Sequence, residues 1–444
     1  MVSIDGGNSE DGRQPIPHLR VFASRLAGRW LRVQELWIEN AMWRARDFNV
    51  DAVLRDLAVS SITELYLAID FDAWPPRAIS QCRLLPHTQL ETLYLDHGSN
   101  DTKLRPSLVE LIDLMAAVSN RRCPVTPSNV AQASPWSAVR RVALANATFP
   151  SVTTFARLLC ALPAFESLQL HRSCAFVKHG FDLRSLPVSF GLPLQLADVE
   201  LIDNFSLHSD PYSVAVLVQF FIATGLGKDL RRINTSLSSF LRVASEIDAA
   251  LSRLVEDSAQ SLRHLSIHSS SLRQNWVHQN YSAGVSPTQY FNVSENTCLE
   301  RLDLTVRVAH GNRSHLCAPV SEILSQVTST HISIIQVHFT SYCQPGELGV
   351  ELDVDLERLM DGFPQLDAVL SAPIFDGLTH VVVDVTTLDS SDVRDRDSAH
   401  ELRLCLPALD ARGILGPLQL ADRLSRIGLY WDEEIGEWKR YGIE

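Results

Sequence analysis

Few residues of this 444-residue chain stand at spacings that chemistry requires. GLGKD at 225–229 carries the Gly-Lys pair of a phosphate loop. It lacks the first Gly of G-x-x-x-x-G-K-[ST], however, and Asp229 stands where Ser or Thr is needed. A helix C-cap is the expectation there, because Gly is the usual left-handed residue at a helix end. The fifteen histidines include no H-E-x-x-H, and the eight cysteines no C-x-x-C, so no zinc site is expected. Asp389, Asp392, Asp395 and Asp397 lack the Gly and the bidentate Glu of a calcium loop and read as a solvated loop. ELDVDLE at 351–357 reads as acids gathered at a helix start. No G-x-S-x-G elbow occurs. The expectation is a chain without catalytic residues, metal or cofactor, and therefore not an enzyme.

Another pattern does recur: apolar-x-x-apolar-x-apolar. It appears as VQELWI (33–38), ITELYL (62–67), LETLYL (90–95), VRRVAL (139–144), FESLQL (165–170) and LADVEL (196–201). It continues as LRRINT (230–235), LRHLSI (262–267), LERLDL (299–304), ISIIQV (332–337) and LTHVVV (378–383). Segments with helical spacing lie between them. The cleanest is PSVTTFARLLCALP (150–163), with Ser151 to cap it and Pro163 to end it. Others are 50–59, 106–118, 212–224, 239–256 and 319–327. Alternating strand and helix predicts an α/β chain with a parallel sheet. A unit with three inward apolar positions cannot bury itself, and no strand-to-helix turn is Gly-rich enough for a nucleotide fold. The expected architecture is a leucine-rich-repeat solenoid, its curved sheet on the concave side and its helices on the convex side.

In such a strand the fourth and sixth positions point inward, and the third and fifth point outward. The first three fifth-position residues are Trp37, Tyr66 and Tyr94, accompanied at the third position by Glu35, Glu64 and Thr92. Neighbouring strands lie about 4.8 Å apart, so the rings are predicted to form a ladder flanked by two carboxylates. Aromatic anchors dominate binding hot spots, which makes Trp37, Tyr66, Tyr94, Glu35 and Glu64 the candidate partner-binding set. Lateral stabilisation of the sheet, or cover by the N-terminal segment, is the competing role for these rings. Later repeats place Arg141, Asp198, Glu200, Arg232, Asn234, His264, Arg301, Asp303, Gln336 and His380 on the same face. Trp276, Tyr281, Tyr290 and Phe291, in a long insertion, form a second candidate contact region.

The formal net charge of −13 disfavours nucleic acid and anionic membranes, both of which need a cationic field. The amino terminus has no basic, apolar leader pattern, and the longest apolar stretch, 214–227, is too short for a membrane span. Scattered cysteines agree with a reducing, cytoplasmic or nuclear setting. By composition, residues 1–17 are predicted to be disordered, 18–387 to hold the repeats, and 388–444 to form an acidic loop and a closing unit. The polar intervals 121–138, 271–298, 341–350 and 388–399 are assigned to loops.

Three phrases resemble the leucine-rich-repeat region of fungal F-box-like proteins. They are HLRVFASRLAGRWLRVQELWIENAMW (18–43), FPSVTTFARLLCALPAFESLQLHRSCAF (149–176) and LRRINTSLSSFLRVASEIDAALSRLVEDSAQSLRHLSI (230–267). The resemblance covers most of 18–385. It implies a recognition array that selects a target for a ubiquitin ligase and contributes no chemistry. Members often open with an F-box that docks a Skp-type adaptor; no Leu-Pro-x-Glu segment precedes His18, so that partner is expected only if an F-box lies upstream. The alternative is a stand-alone structural or regulatory repeat protein with no link to ubiquitin.

Overall fold

The computed structural model describes residues 1–5, 8–9, 12–15, 21, 24–25, 34–43, 63–71, 90–96, 138–160, 162–171, 174–180, 195–202, 211–236, 244–268, 292–308, 317–343, 351–352, 354, 356–387, 400–416, 419–422, 427–432 and 437–442. The helical patterns at 50–59 and 106–118 and most of the polar intervals lie outside these residues. The chain divides into two compact units, Met1–Leu226 and Gly227–Glu444.

The first unit contains β1 (Val2–Asp5), β2 (Asn8–Ser9), β3 (Gly12–Pro15), β4 (Glu35–Trp43), β5 (Glu64–Phe71), β6 (Thr92–Asp96), β7 (Arg141–Ala145) and β8 (Thr148–Ser151). Then come α1 (Val152–Cys160), β9 (Ser167–His171), β10 (Ala175–Lys178), β11 (Asp198–Ile202) and α2 (Pro211–Thr224). Strands β4, β5, β6, β7, β9 and β11 pair in that order, all parallel. Each begins at the third position of its hexapeptide, for a backbone reason. The second-position carbonyl of one repeat accepts the N–H groups of the second and third positions of the next, as Gln34 does from Thr63 (2.8 Å) and Glu64 (3.0 Å). Thr63, Glu91, Arg140 and Glu166 repeat the arrangement.

Alternation then decides the faces. Leu36, Ile38, Leu93, Leu95, Val142, Leu144, Leu168, Val199 and Leu201 are buried, while Trp37, Tyr66 and Tyr94 are half-buried. Leu65, in register between Leu36 and Leu93, is itself only half-buried. Helix α1 starts where expected: the Ser151 hydroxyl accepts from the Thr154 N–H at 3.4 Å. Gly225, at φ +77°, closes α2 in the left-handed conformation that a C-cap glycine supplies, and Leu226–Asp229 follow as a 3-10 turn. GLGKD is thus a helix end.

Composition predicts disorder for 1–17, yet the described residues there are strands. β1 pairs in parallel with β4, and β2 with β3 form a small antiparallel pair whose second strand also reaches β4. An open strand edge offers unpaired N–H and C=O groups, and a polar segment can satisfy them through its backbone whatever its side chains.

The second unit contains β12 (Arg232–Ser236), α3 (Ala244–Asp257), β13 (His264–His268), β14 (Arg301–Val308), α4 (Ala318–Leu324), β15 (Ile334–Cys343) and β16 (Glu351–Leu352). It continues with α5 (Leu356–Leu370), β17 (His380–Thr387), α6 (Pro407–Ala411), β18 (Gln419–Asp422), β19 (Ile427–Asp432) and β20 (Glu437–Gly442). Strands β12, β13, β14, β15, β17 and β18 are parallel in that order, and β19 and β20 close the series antiparallel. β14, β15 and β17 run well past their hexapeptides, so 341–343, assigned to a loop, belong to β15. Their continued alternation places Val306, Phe339 and Val385 in the core.

Helix α5 has no counterpart among the expected helices, because Pro364 lies inside it. The helix tolerates the missing N–H on its exposed side, while Leu359, Phe363, Leu366 and Leu370 are buried. Phe363 meets Phe339 of β15 with ring centroids 6.0 Å apart, so this helix covers the apolar face of the sheet. A Cβ on Gly362 would lie 2.9 Å from the Cys317 sulfur, a close approach that only glycine permits. Among the described residues no helix is long and apolar enough to cross a membrane.

Candidate functional site

The predicted ladder is formed. Trp37 stacks on Tyr66 with centroids 4.5 Å apart, and Tyr66 on Tyr94 at 4.2 Å, each pair within 15° of parallel. Register causes it: Trp37, Tyr66 and Tyr94 are direct partners across β4, β5 and β6. The ring spacing approaches the strand spacing, and each stacked pair contributes about 0.5–1.5 kcal/mol beyond its burial. The row is bounded by small residues, Ser3 beyond Trp37 and Ala143 beyond Tyr94. Across Ala143, Tyr94 leans towards His171, 6.1 Å away and tilted by 36°. Burial pushes the Tyr66 phenol above its ordinary value, and Tyr94, Asp96 and Glu39 add to the rise. The hydroxyl therefore stays protonated, and it is hydrogen-bonded to that of Tyr94.

Glu35 and Glu64 are in-register partners, followed in the same row by Thr92 and Arg141. Glu64 is exposed and Glu35 half-buried. Two positions beyond the rings the sheet carries further carboxylates. Asp5 and Glu39 are partners, and Asp96 accepts from the Asn146 side chain at 2.8 Å. Sequence reasoning missed Glu39 and Asp96 because they fall just outside the hexapeptides, and Asp5 because it lies in the segment expected to be disordered; extending the alternation by one further outward position finds Glu39 and Asp96. Trp276, Tyr281, Tyr290 and Phe291 lie outside the described residues, as do Asp389, Asp392, Asp395 and Asp397.

The outward face of the second unit is polar and internally bonded. His264 Nε2 lies 2.7 Å from Asp303, and Arg301 Nε donates to both Asp303 oxygens at 2.9 and 3.0 Å. Arg301 Nη2 donates to Gln336 Oε1 at 3.1 Å, and Gln336 Nε2 to Asp384 Oδ2 at 2.7 Å. Burial alone would raise Asp303, but the hydrogen bonds and charges of His264 and Arg301 hold it below the usual value. Among the described residues Asp384 has only Gln336 as a hydrogen-bond partner, and its Oδ1 is buried without one. Burial, with Asp303 nearby, pushes it up to about 6. Asp384 was not singled out from the sequence, since it follows its hexapeptide. This chain of bonds consumes the side chains nominated there, Arg301, Asp303, Gln336 and His264, within the sheet itself.

A carboxyl raised from 3.8 to about 6 stabilises the fold below its unfolded value, and that contribution is lost as pH rises through about 6. Asp384→Asn should therefore stabilise the protein by about 2 kcal/mol near pH 8 and by much less near pH 4. Thermal denaturation of both forms across that range checks it. A difference independent of pH would contradict the assignment.

Burial raises the Cys160 thiol to about 11 and that of Cys317 to about 12, so neither is a nucleophile near neutrality. Among the described residues no three His, Cys, Asp or Glu side chains are grouped to hold a metal ion. Compared with protein-family models and with curated protein sequences, the chain gives no match.

Proposed function

We propose that the chain is a non-catalytic protein-recognition scaffold, a leucine-rich-repeat solenoid that presents the Trp37, Tyr66 and Tyr94 row of its sheet to a protein partner. The stacked ladder carries this reading. Three large rings are held on the outward face of the sheet, half-buried, on a row otherwise made of small or polar residues. Rings locked by stacking lose little entropy on binding, which is what makes aromatic anchors effective. The parallel repeats, tied to their neighbours within each unit by the same bifurcated carbonyl, support the solenoid assignment. The resemblance of 18–385 to fungal F-box-like proteins favours target selection for a ubiquitin ligase over a purely structural role, in a cytoplasmic or nuclear setting.

Affinity capture with the wild type and with Tyr66→Ala tests the reading. Proteins recovered by the wild type and depleted with the variant are expected. Equal recovery by both would leave the ladder a sheet-stabilising stripe.

A further inference from the structure

The ladder is set between two rows of carboxylates. Two residues before the rings along each strand stand Glu35 and Glu64, direct neighbours across β4 and β5. Two residues after them stand Asp5 and Glu39, direct neighbours across β1 and β4, and Asp96 on β6. Like charges directly opposed on adjacent strands destabilise a sheet. Among the described residues no ion pair relieves Glu35, Glu39 or Glu64. Along the row of Glu35 and Glu64 the side-chain cation is Arg141, two strands beyond Glu64 and exposed; Met1 stands one residue before Val2, which pairs with Leu36 next to Glu35.

Trp37 has a particular position here. Its inner face is taken by Tyr66, while the row beyond it continues with Ser3, which is small and exposed. The outer indole face is thus bordered by a serine and has Glu35 and Glu39 at the two flanking outward positions of the same strand. An aromatic face between two carboxylates attracts a cation twice over, through the ring quadrupole and through charge. An apolar or anionic segment laid on this surface would strip water from the carboxylates of Glu35, Glu39 and Glu64 without compensation.

Resting on the reading of the ladder as a contact surface, we infer that its occupant is a basic extended peptide segment, with an Arg or Lys cation over the outer face of Trp37 between Glu35 and Glu39. The stem of that side chain lies along the apolar ring edges, and further basic residues meet Glu64. Attraction from a chain of net charge −13 speeds the encounter, and the ring face supplies the local specificity.

Fluorescence polarisation with three labelled peptides tests this: alternating Arg and Ser, its Gln-for-Arg counterpart, and its Glu-for-Arg counterpart. In about 0.15 M salt, which screens distant charges, the Arg peptide should bind at least about tenfold tighter than the Gln peptide. Glu35→Gln with Glu39→Gln should remove about tenfold of that affinity, and so should Trp37→Leu. Glu357→Gln with Asp361→Asn removes the same charge from the exposed side of α5 and should change it by less than about twofold. Equal losses from the two carboxylate pairs would show attraction to net charge alone and overturn the proposal. So would an Arg peptide that binds no tighter than the Gln one. If the Gln peptide binds as tightly and Trp37→Leu weakens it, the ladder remains a contact surface and only the basic occupant is wrong. If Trp37→Leu changes no affinity, both readings fall.

Discussion

Phe155→Ala is expected to cost about 3–5 kcal/mol, the largest single-residue loss in the first unit. Phe155 is 1% exposed and stands among three other rings. Phe149 lies 5.3 Å away, Phe176 6.1 Å and Phe220 6.3 Å, all three near edge-on to it at 70–76°. Removing it loses its own burial and leaves three rings facing a void that none can fill without abandoning its own contacts. Phe155→Leu keeps most of the volume and should cost less than half as much. Hydrogen exchange of the 152–160 backbone under increasing denaturant reports this unit alone, which matters in a chain of two units. A shift under about 1 kcal/mol for the Ala variant would contradict the packing described.

The second large effect belongs to Asp367. Helix α6 begins at Pro407, and its N-cap, Leu406, offers no side-chain acceptor. The acceptor comes instead from α5. Asp367 Oδ2 takes the Ala408 N–H and Oδ1 the Leu409 N–H, both at 3.0 Å, in a side chain only 6% exposed. Pro407 has no N–H to satisfy, so the two donors left over at this helix start are the two that Asp367 takes. Asp367→Ala orphans both and should cost about 2–4 kcal/mol, while Asp367→Asn keeps one acceptor and should cost about half of that. Denaturation of the two variants side by side measures the difference. Equal costs would mean that volume, and not capping, is what Asp367 supplies.

Asp367 also marks where reading the sequence stops. Its partners lie 41 and 42 residues away, and no local pattern announces an acceptor lent from one helix to another. The strands were legible because period-2 alternation is local: all eleven hexapeptides are strands, and α1 to α4 fall on segments with helical spacing. Helix α5 was hidden by Pro364, a local signal that burial of Phe363 and Leu366 overrides. The strands within 1–15 were hidden because edge pairing uses backbone groups, which composition does not record. At the candidate site the ring ladder followed from register alone. The second row of carboxylates escaped because β4 and β6 run past the hexapeptide that was used to find them. The Arg301–Gln336–Asp384 chain escaped for the same reason, its last member lying one residue beyond LTHVVV.

The central claim is that the ladder recognises a partner and does more than stiffen the sheet. Titration of a captured partner against the wild type, Tyr66→Ala and Leu93→Ala tests it most directly, with the stability of each form measured alongside. Leu93 is the core control, being 2% exposed and next in register to the half-buried Leu65. Its truncation should cost about 2–5 kcal/mol of stability. Tyr66→Ala should cost about 2 kcal/mol or more of binding energy, roughly thirtyfold in Kd, with a smaller loss of stability than Leu93→Ala. A Tyr66→Ala protein that binds as tightly as the wild type while losing as much stability as Leu93→Ala would contradict the account.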